Sequence, residues 1–342
     1  MHRARAVSTM RPRRLSFFLI LVAMASSLGQ ACRVQAPAEA EANGGAFSAD
    51  HDERDESRAG TPQTMADVLT ASKPSDWRAL DPQNTLYMEL DTGRVIMELA
   101  PSFAPKHVAN LRILVKERFF DGLFIIRSQD NYVVQWGDPA EGEEGAKSLR
   151  SAKTKLPGEY FRKAAGLPFH RLDSRDPYAD EVGFVAGFPV GRDGPEGRVW
   201  LAHCYGMLGA GRDAAPDSGN AAQLYVVTGH APRHLDRNVT LLGRVVQGIE
   251  HLTTLPRGSG ALGFFETPEE RVPIRTIRFA AEIPAKQRSE LEALRTDTET
   301  FDRFVDARRH RREPWFLDEV GRVGLCNVPL PVRRRIPSPN SP

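Results

Sequence analysis

The chain has 342 residues, enough for one large domain or two small ones, and 41% of them are hydrophobic, which is adequate for a packed core. Its 46 basic and 44 acidic residues leave a formal net charge of only +2. Proteins that bind nucleic acids usually carry a clear basic excess, so this balance argues against a nucleic-acid partner.

The N-terminal residues 1–31 have the layout of a secretory signal peptide. Arg11, Arg13 and Arg14 precede an apolar run at 15–24, and small residues follow up to Ala31. The apolar run is too short for a comfortable membrane span. We therefore predict cleavage of this segment, export, and a periplasmic location.

Cys32 directly follows the sequence Leu-Gly-Gln-Ala, which ends at Ala31. This arrangement resembles a bacterial lipoprotein cleavage site, with Gly29 in place of the usual aliphatic residue. It predicts lipidation of Cys32 and anchoring to the envelope membrane. The alternative is an ordinary cut near Ala31 that releases a soluble exported protein.

Residues 32–63 are rich in Ala, Glu, Asp, Gly and Ser and contain few large apolar side chains. Such a stretch cannot bury enough surface to fold, which predicts a flexible tether. Ordered sequence is expected to begin near the short amphipathic patch at 65–69.

Short strands dominate the elements predicted after the tether. The runs 85–90 and 94–99 are apolar and β-prone and flank a short turn at Gly93, which predicts a hairpin. Ser102 is the expected cap of the next helix. The buried face of that helix is indicated by three-four spacing of Val108, Leu111, Leu114 and Val115.

Most of the remaining predicted elements are also strands. They are expected at 123–127, 132–136, 199–203, 223–228, 240–247 and 272–280, with a second short helix at 248–255. Many short strands with two isolated helices indicate a closed antiparallel barrel.

Two further cysteines, Cys204 and Cys326, lie in the later part of the chain. In an exported protein they would form one disulfide, or they would remain two buried thiols that act as small apolar residues. Because sequence does not show their proximity, both alternatives stay open.

Polar side chains within apolar strands mark a candidate site. Because side chains alternate faces along a strand, Arg127, Gln135 and Gln223 are expected to converge on one concave surface. Val133 and Tyr225 would form its apolar floor. Unpartnered burial is costly, so these polar groups either satisfy one another or line a pocket. Each residue alone is more often structural, but their joint occurrence with matching parity favours the pocket.

The stretch 122–138, which contains Arg127 and Gln135, resembles the active-site segment of the cyclophilins, the peptidyl-prolyl cis-trans isomerases. The similarity extends over about 86–283. It implies a mainly β domain at 64–284, built as a closed eight-stranded antiparallel barrel capped by two helices. A long insertion at about 139–198, expected to be an ordered aromatic-rich flap, and a C-terminal helical extension at 285–342 complete the predicted organisation.

The resemblance also implies roles for individual residues. Arg127 stands at the family's catalytic arginine, and Gln135 stands at the glutamine that orients it. His203 and Cys204 would contact substrate through their backbone, and His234 replaces a tryptophan of many members, which predicts weak cyclosporin binding. The substrate-binding positions are Tyr132, Val133, His203, Cys204, Gln223, Tyr225, His234 and Leu235.

Isomerisation of an X-Pro bond breaks no covalent bond, so no nucleophile, metal or cofactor is predicted. The expected substrates are unfolded or extended proline-containing polypeptides, and the expected role is to assist the folding of exported proteins. Val133, His234 and the insertion keep two alternatives open. One is an envelope module that binds proline peptides or a partner without turnover, and the other is a structural envelope protein that docks through its insertion and tail.

Overall fold

The computed structural model describes residues 63–195 and 197–335. The predicted signal peptide, Cys32 and nearly all of the predicted tether lie outside the described residues and stay predictions. In this described part of the chain, no helix combines the length and the apolar character needed to cross a bilayer.

Strands outnumber helices in the described residues. The strands, in chain order, are β1 Trp77–Ala79, β2 Thr85–Leu90, β3 Gly93–Leu99, β4 Phe124–Ser128, β5 Val133–Gly137, β6 Arg162–Lys163, β7 Phe169–Leu172, β8 Glu181–Val185, β9 Phe188–Arg192, β10 Arg198–Leu201, β11 Met207–Ala210, β12 Leu224–Val227, β13 Leu241–Gln247, β14 Val272–Pro273, β15 Thr276–Phe279, β16 Leu291–Leu294 and β17 Val332–Arg334. The α-helices are α1 Met65–Thr70, α2 Pro105–Lys116, α3 Glu250–Thr253 and α4 Glu299–Arg309. Two of the 3-10 helices border the site described below, namely Arg233–Leu235 and Ala261–Gly263.

Strands β2 and β3 form the predicted hairpin, with Leu90 opposite Gly93. Alternation along β2 sends Leu86, Met88 and Leu90 into the largest apolar core, whereas Tyr87 packs in a separate cluster. Both faces of the strand are therefore buried, which explains its nearly continuous apolar sequence. The hairpin prediction is confirmed.

Nine strands form one curled antiparallel sheet, in the order β14-β4-β5-β12-β11-β13-β3-β2-β15. Its edge strands β14 and β15 follow one another in the chain, separated by Ile274 and Arg275. The N–H groups of these two residues donate to the carbonyls of Leu123 and Glu89, at opposite edges of the sheet, each at 2.9 Å. The mainly β class is confirmed, with nine strands where eight were predicted. Closure into an eight-stranded barrel stays a prediction.

Helix α2 has the predicted buried face but not the predicted cap. Its first residue is Pro105, a position where the missing N–H of proline costs nothing, and the preceding Ala104 has no capping side chain. The prediction that Ser102 caps this helix is therefore wrong. The first-turn N–H of His107 instead donates to the Glu159 carboxylate at 2.9 Å. Burial alone would raise the pKa of Glu159, but its hydrogen bonds to this helix end hold that pKa below the usual range.

The predicted insertion at 139–198 contains most of a second antiparallel sheet, in the order β6-β10-β9-β8-β7. Phe184 and Phe188 of this sheet share an apolar cluster with Phe301 and Phe304 of α4. The rings of Phe184 and Phe301 meet edge to face, with centroids 5.1 Å apart. The insertion is thus ordered, and helix α4 supplies part of its core.

The C-terminal extension was predicted to be helical, but it also contains strands. It contains helix α4 and also strands β16 and β17, which join β1 in a sheet of order β1-β16-β17. The register pairs Trp77 of β1 with Leu294 of β16. Strands this short carry too few residues for a periodic signal, so the sequence pattern did not reveal them.

A disulfide joins Cys204 to Cys326 across a separation of 122 residues. Of the two alternatives that the sequence left open, the structure shows the bond. It ties the C-terminal extension to the loop between β10 and β11.

Candidate active site

A cavity of about 180 Å³ opens where β4, β5 and β12 lie side by side. Arg127 on β4 is opposite Gln135 on β5, and Gln135 is opposite Tyr225 on β12. The structure therefore brings Arg127 and Gln135 together above the predicted floor residue Tyr225, whereas Gln223, which was predicted to converge with them, does not line this cavity. The full lining is Arg127, Tyr132, Val133, Gln135, Gly211, Arg212, Tyr225, Leu235 and Val239.

The guanidinium of Arg127 is held by three hydrogen bonds. Its Nε donates to the Leu262 carbonyl at 2.8 Å, one Nη donates to Gln135 Oε1 at 3.2 Å, and the other Nη donates to Gln129. One N–H on each terminal nitrogen is left without a partner among the described residues. Burial lowers the pKa of Arg127, although arginine stays protonated at neutral pH. The site thus presents an oriented cation with spare donors.

Two aromatic rings complete the surroundings of Arg127. The guanidinium carbon lies 5.2 Å from the ring centroid of Phe264 and 5.5 Å from that of Tyr132. Contacts of this kind attract a cation to the ring face and restrict its motion. The arginine therefore contacts two aromatic rings in addition to its three hydrogen-bond acceptors.

A chain of amides extends from the arginine into a neighbouring cavity. Gln135 accepts from Arg127 and donates through Nε2 to Gln223 Oε1 at 3.0 Å. Gln223 in turn donates to the carbonyl of Asp138 at 3.1 Å. Both glutamines line the second cavity, of about 420 Å³, where burial raises the pKa of Glu141, and Gln135 lines the 180 Å³ cavity as well. The amides therefore fix the arginine and join the two cavities.

The floor of the 180 Å³ cavity is apolar. Val133 is 3% exposed and Tyr225 is 6% exposed, and Leu235 borders the same space from the 3-10 helix Arg233–Leu235. At the rim, the exposed ring of His234 stacks on Tyr132, with centroids 6.5 Å apart and planes at 5°. The space therefore combines one charged edge with an apolar base.

The chain matches the family model described as cyclophilin type peptidyl-prolyl cis-trans isomerase/CLD over residues 85–279. A probable peptidyl-prolyl cis-trans isomerase of Brucella suis is 27% identical over 190 residues, covering 54% of this chain and 76% of that relative. A putative thylakoid lumen peptidyl-prolyl cis-trans isomerase of Synechocystis is 26% identical over 181 residues, covering 51% of this chain and 44% of that relative. A crystal structure of a cyclophilin from Hirschia baltica matches the fold with a TM-score of 0.62 at 24% identity, covering 79% of this chain and 97% of that chain.

The segment matched by the family model runs from the start of β2 to the end of β15 and includes every residue that lines the cavity. The chain belongs to the cyclophilin family. It is a peptidyl-prolyl cis-trans isomerase, and its low identity to these relatives makes it a divergent one. The resemblance drawn from the sequence is therefore confirmed.

The structure corrects the placement of three predicted substrate-binding residues of this cyclophilin. Gln223 lines the 420 Å³ cavity and not the 180 Å³ cavity. His203 is fully buried, and Cys204 is held in the disulfide, so neither lines the cavity. Gly211 and Arg212, which follow β11, line the cavity instead. A strand was predicted at 199–203, but β10 ends at Leu201 and belongs to the insertion sheet. The strand that leads to the site is β11, which its glycine-containing sequence did not reveal.

The segment that holds Arg127 through its Nε was not predicted from the sequence. Leu262 lies in the 3-10 helix Ala261–Gly263, and Phe264 follows it. This segment lies against β4, where Phe265 donates its N–H to the Ile126 carbonyl at 3.0 Å. The contact between Arg127 and Leu262 spans 135 residues of sequence. The paired aromatics Phe264 and Phe265 within a glycine-rich stretch were the available signal.

Proposed function

We propose that this cyclophilin isomerises X-Pro bonds in the 180 Å³ cavity and that Arg127 is its catalytic residue. The observation that carries the proposal is the oriented guanidinium of Arg127, with spare N–H groups beside the apolar floor of Val133 and Tyr225. The proline ring would rest on this floor. Leu235, Tyr132 and His234 would enclose the ring and the residue before it.

The chemistry required is the stabilisation of a twisted amide. In the planar amide the nitrogen lone pair is delocalised, and this resonance creates a barrier of about 18–20 kcal/mol. As the bond twists, the lone pair localises on the nitrogen and can accept a hydrogen bond. A donor from Arg127 would then bind the twisted state more strongly than either planar state, which lowers the barrier.

Gln135 and Gln129 would act by orienting this donor. A guanidinium that is already fixed does not have to reorganise when the amide twists, and such preorganised donors contribute about 3–4 kcal/mol. Gln223 would hold Gln135 in the required rotamer. These residues would fix the orientation of the Arg127 guanidinium, while contacts in the cavity would bind the peptide.

We further propose that the protein works outside the cytoplasm on unfolded or extended proline-containing chains and assists their folding. The Cys204–Cys326 disulfide supports an oxidising compartment, because such bonds persist there and are rare in the cytosol. The layout of residues 1–31 supports export, and the sequence before Cys32 supports a lipid anchor in the envelope membrane. The exposed ring of His234, stacked on the cavity residue Tyr132, would contact an extended segment that flanks the proline.

The catalytic proposal is tested by a protease-coupled assay on an Ala-Pro-Phe peptide. Arg127→Ala should lower kcat/KM by about 10²- to 10³-fold, the usual loss for a preorganised donor. Arg275→Ala is the matched control, because that exposed arginine pairs with Asp91 away from the cavity. Equal activity of the wild type and Arg127→Ala would refute the mechanism.

The anchoring proposal is tested by labelling cells with radioactive palmitate. The wild-type protein should incorporate label and fractionate with membranes, and Cys32→Ala should do neither. Label that persists in Cys32→Ala, or a wild type without label, would exclude Cys32 as the anchor.

A further inference from the structure

A buried polar chain lies directly beneath the floor of the cavity. The hydroxyl of Tyr225 is 2.9 Å from His203 Nε2, and His203 Nδ1 is 2.9 Å from Asp236 Oδ1. His203 is 0% exposed and Asp236 is 4% exposed. The floor of the site is thus attached to a histidine and a carboxylate that no ligand in the cavity would touch.

The direction of these hydrogen bonds follows from their partners. The Asp236 carboxylate is held ionised, since hydrogen bonds from His203 and the charge of Arg233 outweigh burial and keep its pKa below the usual range. A carboxylate only accepts, so His203 carries its proton on Nδ1 and its Nε2 accepts from Tyr225. Burial lowers the pKa of His203 and raises the pKa of Tyr225, so the histidine stays neutral and the phenol keeps its proton.

Asp236 uses both oxygens fully. Oδ1 also accepts the backbone N–H of His203 at 2.9 Å, and Oδ2 accepts from Arg233 Nε at 2.6 Å and Trp200 Nε1 at 3.2 Å. Arg233 donates further to the Asp176 carboxylate of the insertion, at 2.8 and 3.1 Å. The network therefore joins the insertion to the nine-stranded sheet below the cavity.

The same network reaches two different borders of the cavity. One end holds the Tyr225 ring on β12 through its hydroxyl. The other end clamps Arg233 and Asp236, which flank His234 and Leu235 in the 3-10 helix and its cap. One connected set of hydrogen bonds therefore sets the distance between the Tyr225 floor and Leu235.

We infer that His203 and Asp236 are positioning residues that fix the size of the proline cavity and so determine its selectivity for a five-membered ring. The inference rests on the proposed function, because it assumes that the ring lies between Tyr225 and Leu235. The energetic cost of burying the Tyr225 hydroxyl supports the inference. A phenylalanine at position 225 would cover the same floor with no buried partner, whereas the tyrosine requires a satisfied network to avoid the penalty of an unpaired buried hydroxyl.

The test compares the binding of two otherwise identical peptides, one with proline and one with its six-membered homologue, pipecolic acid. Calorimetric titration gives the ratio of their Kd values. A ring methylene that fits poorly costs about tenfold or more in a fixed pocket. The ratio does not depend on the fraction of folded protein, so a general loss of stability leaves it unchanged.

Two variants remove the link between floor and network from opposite sides. Tyr225→Phe deletes the donor, and His203→Asn keeps a donor for Asp236 but is too short to accept from Tyr225. Each should reduce the selectivity ratio at least about threefold, toward equal binding of the two peptides. Tyr87→Phe is the matched control, because it deletes a buried tyrosine hydroxyl that accepts from Ser289 at 3.0 Å in a separate cluster. It should leave the ratio unchanged.

A ratio that stays at the wild-type value in both Tyr225→Phe and His203→Asn would overturn the inference. Should His203→Asn fail to fold, Tyr225→Phe decides alone. Selective binding by the wild type without isomerase activity would refute the proposed function and leave this inference standing. A wild type that binds neither peptide would overturn both.

Discussion

The cavity has a charged wall, formed by Arg127 and Gln135, and an apolar floor, formed by Val133 and Tyr225. Polar groups hold these two parts in opposite ways. At the wall, Arg127 makes three hydrogen bonds and keeps donors unused. Below the floor, every oxygen lone pair of Asp236 and both ring nitrogens of His203 are occupied by protein partners. Arg127 at the wall therefore has N–H groups available for a ligand, whereas the polar groups below the floor bond only to one another. Changes at the wall should affect turnover, and changes at the floor should affect stability and selectivity.

The largest stability effect is expected from Asp236→Ala. It removes the shared acceptor of His203 Nδ1, Arg233 Nε and Trp200 Nε1 from a buried site, and breaking such a network costs about 3–5 kcal/mol in the free energy of unfolding. Asp297→Ala is the control, since its pair with Arg295 is exposed to solvent and should contribute little to stability. Urea denaturation measures both variants. Equal losses of unfolding free energy in the two variants would show that the network below the floor contributes no more to stability than an exposed ion pair.

The disulfide should have the next largest effect. Cys326→Ser releases a loop of 122 residues and should lower the free energy of unfolding by about 2–4 kcal/mol. Because Arg127 does not contact this bond, the kcat/KM of folded protein should stay near the wild-type value. A large loss of turnover with unchanged stability would contradict the separation of wall and floor.

Acid should lower the stability contributed by the network below the floor before it affects the hydrogen bonds of Arg127 at the wall. Burial depresses the pKa of His203 in the folded state, so the unfolded chain binds a proton first as pH falls below about 6.5. Stability contributed by neutral His203 is present above that pH and is lost below it, by up to about 1.4 kcal/mol per pH unit. The groups facing His203 are Asp236, Arg233 and His234, with the Tyr225 hydroxyl. Thermal unfolding at pH 7.5 and 5.5 should show a smaller pH effect in His203→Asn, and an identical slope would contradict this assignment.

The smallest effect is expected at the outer contact of the wall. Phe264→Leu removes one ring face from Arg127 but leaves its three hydrogen bonds, so about 0.5–1 kcal/mol of orientation should be lost. That predicts a two- to fivefold fall in kcat/KM, without a change in proline selectivity. Phe316→Leu, at a similar contact with Arg311 outside the site, is the control and should have wild-type kinetics. An effect on selectivity rather than on turnover would contradict the division between wall and floor.

The two regions also differ in how far the sequence predicted them. Strand parity placed Arg127, Gln135 and Tyr225 on one surface, because alternation is local and the strands β4, β5 and β12 are strongly apolar. The floor network escaped prediction, because its members come from β10, β12, the insertion and a 3-10 helix. Proximity of that kind depends on tertiary packing. His203 was accordingly assigned to the substrate side, when it lies behind Tyr225.

The same distinction explains the fold. The hairpin of β2 and β3 and the buried face of α2 follow from short-range patterns and were predicted. Strand β11, with a glycine among four residues, and the pairing of β1 with β16 carry no comparable local signal. The disulfide likewise depends on the approach of two cysteines across 122 residues.

The most direct test of the central claim is NMR exchange spectroscopy on an Ala-Pro-Phe peptide in the presence of catalytic amounts of protein. It measures cis-trans exchange on the protein separately from binding. We expect Arg127→Ala to bind the peptide within a few-fold of the wild-type Kd but to accelerate exchange about 10²- to 10³-fold less, because the floor is intact and the donor is absent. Exchange at the wild-type rate in Arg127→Ala would contradict the account.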